Sequence, residues 1–308
     1  MPKVNVIKVA LAMDTIIQIK TASSTNTQAE LEEKVDQALN IFYQVEHICS
    51  RFNPQSELMQ LVHKVGEAVP VSPILFEITQ FAVQIAERTD GVFDPTVGKT
   101  LEDIGFNREY ASRKKHSTAI IKRSDVSHKD IYCDRTHHTI TLKKPLVLDF
   151  GAIAKGAAID LAARELEDIE GFVIDAGGDL YVKGLNEKGE HWEIGIRHPL
   201  EKDKIIAKIK GTNVSICTSG SYERYKENRA NHHLIHAKTG NAQNEIISCT
   251  AIAPYAMLAD AFSTSAFLLG PVKGIAFLEE EGVEGILISP ELTMHTTKGI
   301  GGFSIEYL

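Results

Sequence analysis

The sequence predicts an α+β fold, antiparallel sheets packed with helices. Two observations carry this: helical periodicity is concentrated before residue 90, and short strand patterns crowd together after Gly171. A doubly wound α/β sheet would instead alternate the two patterns along the whole chain.

Taken in order, residues 4–11 and 15–20 read as two strands joined near Met13-Asp14. A long helix follows from Thr27, with Leu31, Val35, Leu39, Phe42, Val45 and Cys49 on one apolar face. Ser56 caps a short helix. Ser72-Pro73 starts another, with proline in the first turn, where its missing N–H does no harm. Leu75, Ile78, Phe81, Ala82 and Ile85 give that helix its buried side, and Gly91 ends it. Residues 107–117, with the basic run Arg113-Lys114-Lys115-His116, read as an exposed polar loop. A hairpin turns at Arg135-Thr136-His137-His138, and Val147-Leu148 reads as a buried strand. A helix is expected over Lys155–Glu167, then strands at 172–175, 180–183, 191–197, 204–210 and 213–217. The strand 247–253 precedes a helix from Tyr255 to Leu269. The tail holds a helix after Pro271 and strands near 285–288, 292–297 and 303–307. No repeat or linker divides the chain, so residues 1–308 are expected to form one unit.

A chain of 308 residues, 43% hydrophobic and 24% charged, has the composition of a globular protein with a sizeable core. Its net charge of -8 argues against a nucleic-acid partner, which would need clustered Lys and Arg. An anionic ligand must therefore be met by local devices such as a lysine, a metal or a helix end. The four cysteines are far apart, which favours buried free thiols over disulfides or zinc. No run suggests a membrane-spanning segment, and the N-terminus lacks a signal-peptide pattern. A cytoplasmic location is expected, with an extracytoplasmic, membrane-associated one as the alternative.

The run Asp149-Phe150-Gly151-Ala152-Ile153-Ala154-Lys155-Gly156 is the most informative stretch. A chain passing through small residues into a helix presents backbone N–H groups to phosphate, and Lys155 adds a point charge. Asp149-Phe150-Gly151 echoes the metal-binding triplet of protein kinases, but no glycine-rich nucleotide loop or HRD loop accompanies it. The run is not a Walker A loop either, because its lysine precedes the final glycine and no Ser or Thr follows.

Other clusters each have two readings. Asp90 to Gly98 is a helix cap and turn, or a ligand loop. Asp175-Ala176-Gly177-Gly178-Asp179 is a tight hairpin, or a place where a ligand meets the backbone. Cys217-Thr218-Ser219-Gly220-Ser221 offers hydroxyls to phosphate, or caps a turn. In His232 to Gly240 three histidines lack a fixed zinc ligand set, so proton transfer is the better role. Asp260 and Thr264 share one helical face among apolar and small neighbours. A buried aspartate needs a partner. A lysine or helix cap would be the structural one; a hard cation such as Mg²⁺ would be the functional one.

In this order the clusters, with Met13-Asp14-Thr15 and Ser50-Arg51-Phe52-Asn53-Pro54-Gln55-Ser56-Glu57-Leu58, resemble the ApbE family of flavin transferases from Met13 to about Gly270. The resemblance implies a T-fold-like architecture, FAD as substrate, Mg²⁺ as the ion, and an acceptor flavoprotein whose Thr or Ser hydroxyl receives FMN as AMP leaves. FAD hydrolysis to FMN and AMP, or FAD binding without turnover, are the alternatives. Carried onto this chain, it implies metal binding by the Ala152 carbonyl, the Asp260 carboxylate and the Thr264 hydroxyl. It also implies FAD contacts from Met13, Phe52, Val92, Phe93, Asp94, Asp149, Lys155, Ser219, Gly220 and Leu234, with His233 as base or proton relay. The chain departs from the family pattern at Asp14 for Gly, Phe52 for Tyr, and His236-Ala237 for Asp-Pro.

Overall fold

The structure is a computed structural model that describes residues 3–107, 118, 125–226 and 228–307. The N-terminal half contains β1 (Val4–Ala12), β2 (Thr15–Ser23), α1 (Gln28–Cys49), α2 (Glu57–Val62), β3 (Val69–Pro70) and α3 (Pro73–Arg88). Next come α4 (Gly98–Asp103), β4 (Ile131–Asp134), β5 (Thr139–Leu142) and α5 (Ala154–Glu165). Strands β6 (Gly171–Ala176), β7 (Asp179–Lys183), β8 (Trp192–Arg197), β9 (Ile205–Gly211) and β10 (Val214–Gly220) follow. The chain continues through β11 (Tyr225–Lys226), β12 (Asn228–His232), β13 (Ser248–Ala253) and α6 (Ala256–Glu280). It finishes with β14 (Glu284–Ile288), β15 (Met294–Thr296) and β16 (Ser304–Tyr307).

An eight-stranded sheet in the order β1-β2-β6-β7-β10-β13-β14-β15 organises the fold, and every neighbouring pair in it is antiparallel. One face carries Ile17, Ile19, Ile174, Cys217, Ala251 and Leu287 into a core shared with α1, α5 and α6. The opposite face presents Val182, Ile216, Ile252 and Ile286 to a three-stranded sheet, β16-β9-β8. This second layer leaves the β1–β2 end uncovered, so Ile7, Val9, Leu11 and Ile16 lie exposed. The α+β expectation holds, because alternation along each strand gives the sheet two apolar faces and each finds a layer.

Local signals act as the sequence predicts. Thr27 and Glu30 close a capping box on α1, while Ser56 and Ser72 cap α2 and α3. Gly91, at φ 70°, returns its N–H to the Ala86 carbonyl at 2.7 Å and stops α3. The expected break before Pro271 falls at Gly270, whose φ of 80° interrupts α6. Among the described residues α6 is the one helix apolar and long enough to cross a membrane, against the expectation of no such run. It is the core helix here, wedged between α5 and the sheet.

Two expectations need correction or stand aside. Val147 and Leu148 are fully buried but form no strand. Their neighbour is the 95–98 turn, which supplies only two bonds, Gly98 N–H to Val147 O and Asp149 N–H to Pro95 O, too few for a ladder. The basic run Arg113 to His116 lies outside the described residues. All four cysteines are free; Cys49, Cys217 and Cys249 are buried and Cys133 is partly so.

Candidate active site

Helices α5 and α6 cap each other. Asp160 of α5 accepts the Ala256 and Met257 N–H groups of α6, at 2.7 and 2.9 Å. Asp260 of α6 accepts the Gly156 N–H of α5 at 3.2 Å. The close approach depends on Gly156, because a Cβ there would lie 2.4 Å from the Ala256 carbonyl oxygen. The free helix end expected at Gly156 is therefore occupied by Asp260, and attraction for an anion at this corner falls to Lys155.

Lys155 reaches Asp179 Oδ2 at 2.7 Å, Asp260 Oδ2 at 3.2 Å and the Gly151 carbonyl at 3.4 Å. Both structural partners foreseen for Asp260, a lysine and a helix end, are present. Burial raises the Asp260 pKa; Lys155 opposes and Asp179 adds to the rise. Burial would lower Lys155, but the charges of Asp179 and Asp260 outweigh it and raise its pKa. Two carboxylates share one ammonium, so the centre keeps an excess negative charge. On the same face Thr264 Oγ1 meets Ser219 Oγ at 2.8 Å, and Ser219 meets Ser263 at 2.9 Å. Ala152, half-buried, follows the Gly151 carbonyl that Lys155 touches, so the Ala152 turn and Asp260 lie on the same side of the molecule.

Does this donor set suit Mg²⁺? The ion favours oxygen ligands, one or two carboxylates, and otherwise waters and phosphates. Buried Asp260 and Asp179, the Thr264 and Ser219 hydroxyls and the nearby turn carbonyl meet that description. Among the described residues no group of three His, Cys, Asp or Glu could hold a metal, which disfavours a zinc-type cage. The residues fit a hard cation with an incomplete protein shell.

A second wall begins at Asp149. Its carboxylate pairs with Arg51 Nε and accepts the Gly151 N–H at 2.9 Å. Burial would push this carboxyl up, but Arg51, the Gly151 N–H and the charge of Arg224 hold it below the usual range. Arg51 Nη2 donates to the Phe106 carbonyl at 2.7 Å, and Arg51 Cζ stacks 4.1 Å above the Phe52 ring. Its Nη1 is buried with no partner among the described residues. Leaving such a donor unsatisfied costs about 1–3 kcal/mol.

The His233 ring sits 6.2 Å from the Phe106 ring. Its Nδ1 lies 3.1 Å from the Arg224 carbonyl, which can only accept, so Nδ1 carries the proton and Nε2 keeps its lone pair. Burial, with the charge of Arg224, drives its pKa down to about 3. His232 is structural: Nε2 meets the Gln243 carbonyl at 2.7 Å and the ring stands edge-on to Phe267. Leu234 is buried beside it, its N–H on His232 Nδ1.

The Val92–Asp94 loop joins this wall through the Ala237 N–H to Val92 carbonyl bond and the Lys238–Asp90 ion pair. Phe93 is buried, with its N–H on Thr89 Oγ1. Asp94 is bonded within this wall. Its oxygens are taken by the Thr96 N–H and hydroxyl and by the His128 N–H and ring, so it shapes the loop with its carboxylate engaged. Met13 and Asp14 form a two-residue turn at φ 52° and 60°, packed beside the Gly177-Gly178 turn at φ 68° and 97°. A Cβ on Gly177 would lie 2.1 Å from Thr15 Oγ1, so Asp175–Asp179 is a tight hairpin, and it delivers Asp179 to Lys155. Asp14 thus holds a left-handed position that a glycine would adopt without strain.

The structure brings Lys155, Ser219, Asp260 and Thr264 into one centre, with Gly220 at the adjoining end of β10. Phe52, Asp149 and His233 line the neighbouring wall, joined to that centre by residues 149–155. Sequence reasoning missed Arg51, Phe106 and Arg224, and did not single out the Asp179 carboxylate. Arg51 and Asp179 lay inside noted segments, without a local sign of their partners.

The sequence matches the ApbE family over residues 13–287. An FAD:protein FMN transferase of Escherichia coli strain K12 is 29% identical over 281 residues, spanning 85% of this chain and 78% of that protein. One from Treponema pallidum strain Nichols is 28% identical over 314 residues, spanning 94% and 86%. The crystal structure of the ApbE protein from Thermotoga maritima MSB8 superposes with a TM-score of 0.85 at 26% identity, covering 97% of this chain and 99% of that one. Flavin transferase ApbE from Vibrio cholerae shares the fold, with a TM-score of 0.83 at 23% identity over 98% and 100% of the two chains. The chain belongs to the ApbE family.

Proposed function

We propose that this chain is a Mg²⁺-dependent FAD:protein FMN transferase acting on a Thr or Ser hydroxyl of an acceptor flavoprotein. The observation that carries the reading is the shared centre of Asp260, Lys155, Asp179, Ser219 and Thr264 beside the Asp149–His233 wall. Relatives over most of its length bear that activity in their names.

In the reaction the acceptor oxygen bonds to the FMN phosphorus, the bond from that phosphorus to the bridging oxygen breaks, and AMP leaves with the electron pair. The hydroxyl proton must be taken. His233 is neutral at physiological pH with Nε2 free to accept, and the Asp149 charge supports the imidazolium that forms. Lys155 is placed to meet diphosphate oxygens by trading a carboxylate contact for a phosphate one. The Ala152 carbonyl, Asp260 and Thr264 would hold Mg²⁺, which when bound offsets charge developing on the diphosphate. Met13, Phe52, Val92, Phe93, Asp149, Ser219, Gly220 and Leu234 would line the FAD site, with Asp94 holding its loop in shape.

Incubation with FAD, Mg²⁺ and flavoproteins of the same organism tests the proposal. Transfer raises an acceptor's mass by FMN and releases AMP. Free FMN with AMP and no modified acceptor would mean hydrolysis, and intact FAD would mean storage; either result overturns the transferase assignment.

A further inference from the structure

Arg51 is the buried group whose bonding is left unfinished. The Nε and Nη2 edge of its guanidinium is committed to Asp149 and the Phe106 carbonyl, and one flat face lies on Phe52. Nη1 has no partner among the described residues, although the side chain is only 7% exposed. A rigid donor held open beside an aromatic ring and an ionised carboxylate is prepared for a ligand atom.

We propose that Arg51 Nη1 donates to an uncharged acceptor on a planar ring of the bound dinucleotide. This rests on the FAD reading above. Packing selects the acceptor class. Arg51 Cζ lies 4.1 Å from the centre of the Phe52 ring, so an acceptor on the edge of a planar ligand ring can meet Nη1 while that ring packs near Phe52. FAD carries such acceptors at both ends, on the isoalloxazine and on the adenine. Among the described residues, Arg51 Nη1 is a buried donor of this wall that the protein itself leaves without a partner.

The test compares equilibrium binding of FAD, FMN and AMP, each with Mg²⁺, to the wild type and Arg51→Lys. Lysine keeps the charge beside Asp149 and loses the Nη1 fork. The expected result is a selective loss: one half-ligand weakens about ten- to hundredfold and the other is unchanged. Weakened FMN, with loss of the flavin absorption shift on binding, identifies the isoalloxazine; weakened AMP identifies the adenine. Equal weakening of both half-ligands would mean a purely structural role and overturn the inference, as would binding identical to wild type. If Arg51→Lys does not fold, the charge-neutral pair Arg51→Met with Asp149→Asn, compared against Asp149→Asn alone, gives the same readout. Wild-type protein that binds no FAD would instead sink the transferase reading.

Discussion

Gly156→Ala offers a stringent check on how the active centre is built. The added methyl would sit 2.4 Å from the Ala256 carbonyl oxygen and 2.6 Å from the Met257 Cα, both backbone atoms that no rotamer change can clear. Ordinary contact begins near 3.4 Å, so α5 and α6 must part by about 1 Å. That shift strains the core by about 1–3 kcal/mol. It also stretches the two reciprocal caps, worth about 0.5–2 kcal/mol each. Alanine recovers only about 1 kcal/mol through helix propensity. The net expectation is a loss of about 2–4 kcal/mol, read as a lower urea midpoint at unchanged slope. FAD turnover should fall with it, since Asp260 moves with the helix. A variant as stable as wild type within about 0.5 kcal/mol would refute the claim that these helices are locked by glycine contact and mutual capping.

Asp260→Ala should abolish Mg²⁺-dependent AMP release from FAD, followed by chromatography; unchanged release removes Asp260 from the metal site. The His233 pKa is lowered from 6.5 to about 3 in the folded protein. Below pH 6.5 the unfolded chain therefore binds a proton that the folded chain refuses, and stability declines as pH falls towards 3. His233→Asn should flatten urea-midpoint profiles across that window; an unaltered slope would show that His233 is not buried as a neutral group. Asp94→Ala leaves buried donors on His128 and Thr96 unpaired and should cost about 3 kcal/mol, measured by denaturant titration. It should weaken FAD binding through the displaced Val92–Asp94 loop, and a stable variant with native affinity would contradict that.

Much of the fold was legible because its causes are local. Thr27, Ser56 and Ser72 lie within three residues of the N–H groups they cap, and the apolar face of α1 repeats every turn. The site was legible as a set of segments in family order, but its wiring was not. Arg51 meets Asp149 across 98 positions, and Lys155 meets Asp260 across 105. Nothing local to either residue signals such a partner, and the bond between Asp94 and His128, 34 positions away, is equally silent in the sequence. Val147-Leu148 failed for a related reason: burial was correctly inferred, but a ladder needs a matching strand that only the tertiary structure could deny. The polar hairpin of β11 and β12 carries no apolar alternation and gave no signal at all.

Mutual capping of α5 and α6 also sets an order of assembly during synthesis. Gly156 must wait for a carboxylate 104 residues downstream before its first turn is satisfied, and strand β13 must slot between β10 and β14. A nascent chain that has emerged only through β10 already displays Lys155 and Asp179, yet lacks the helix that brings Asp260 and Thr264 to them. Chemical competence should therefore arrive late and abruptly, leaving half-made chains inert towards nucleotides.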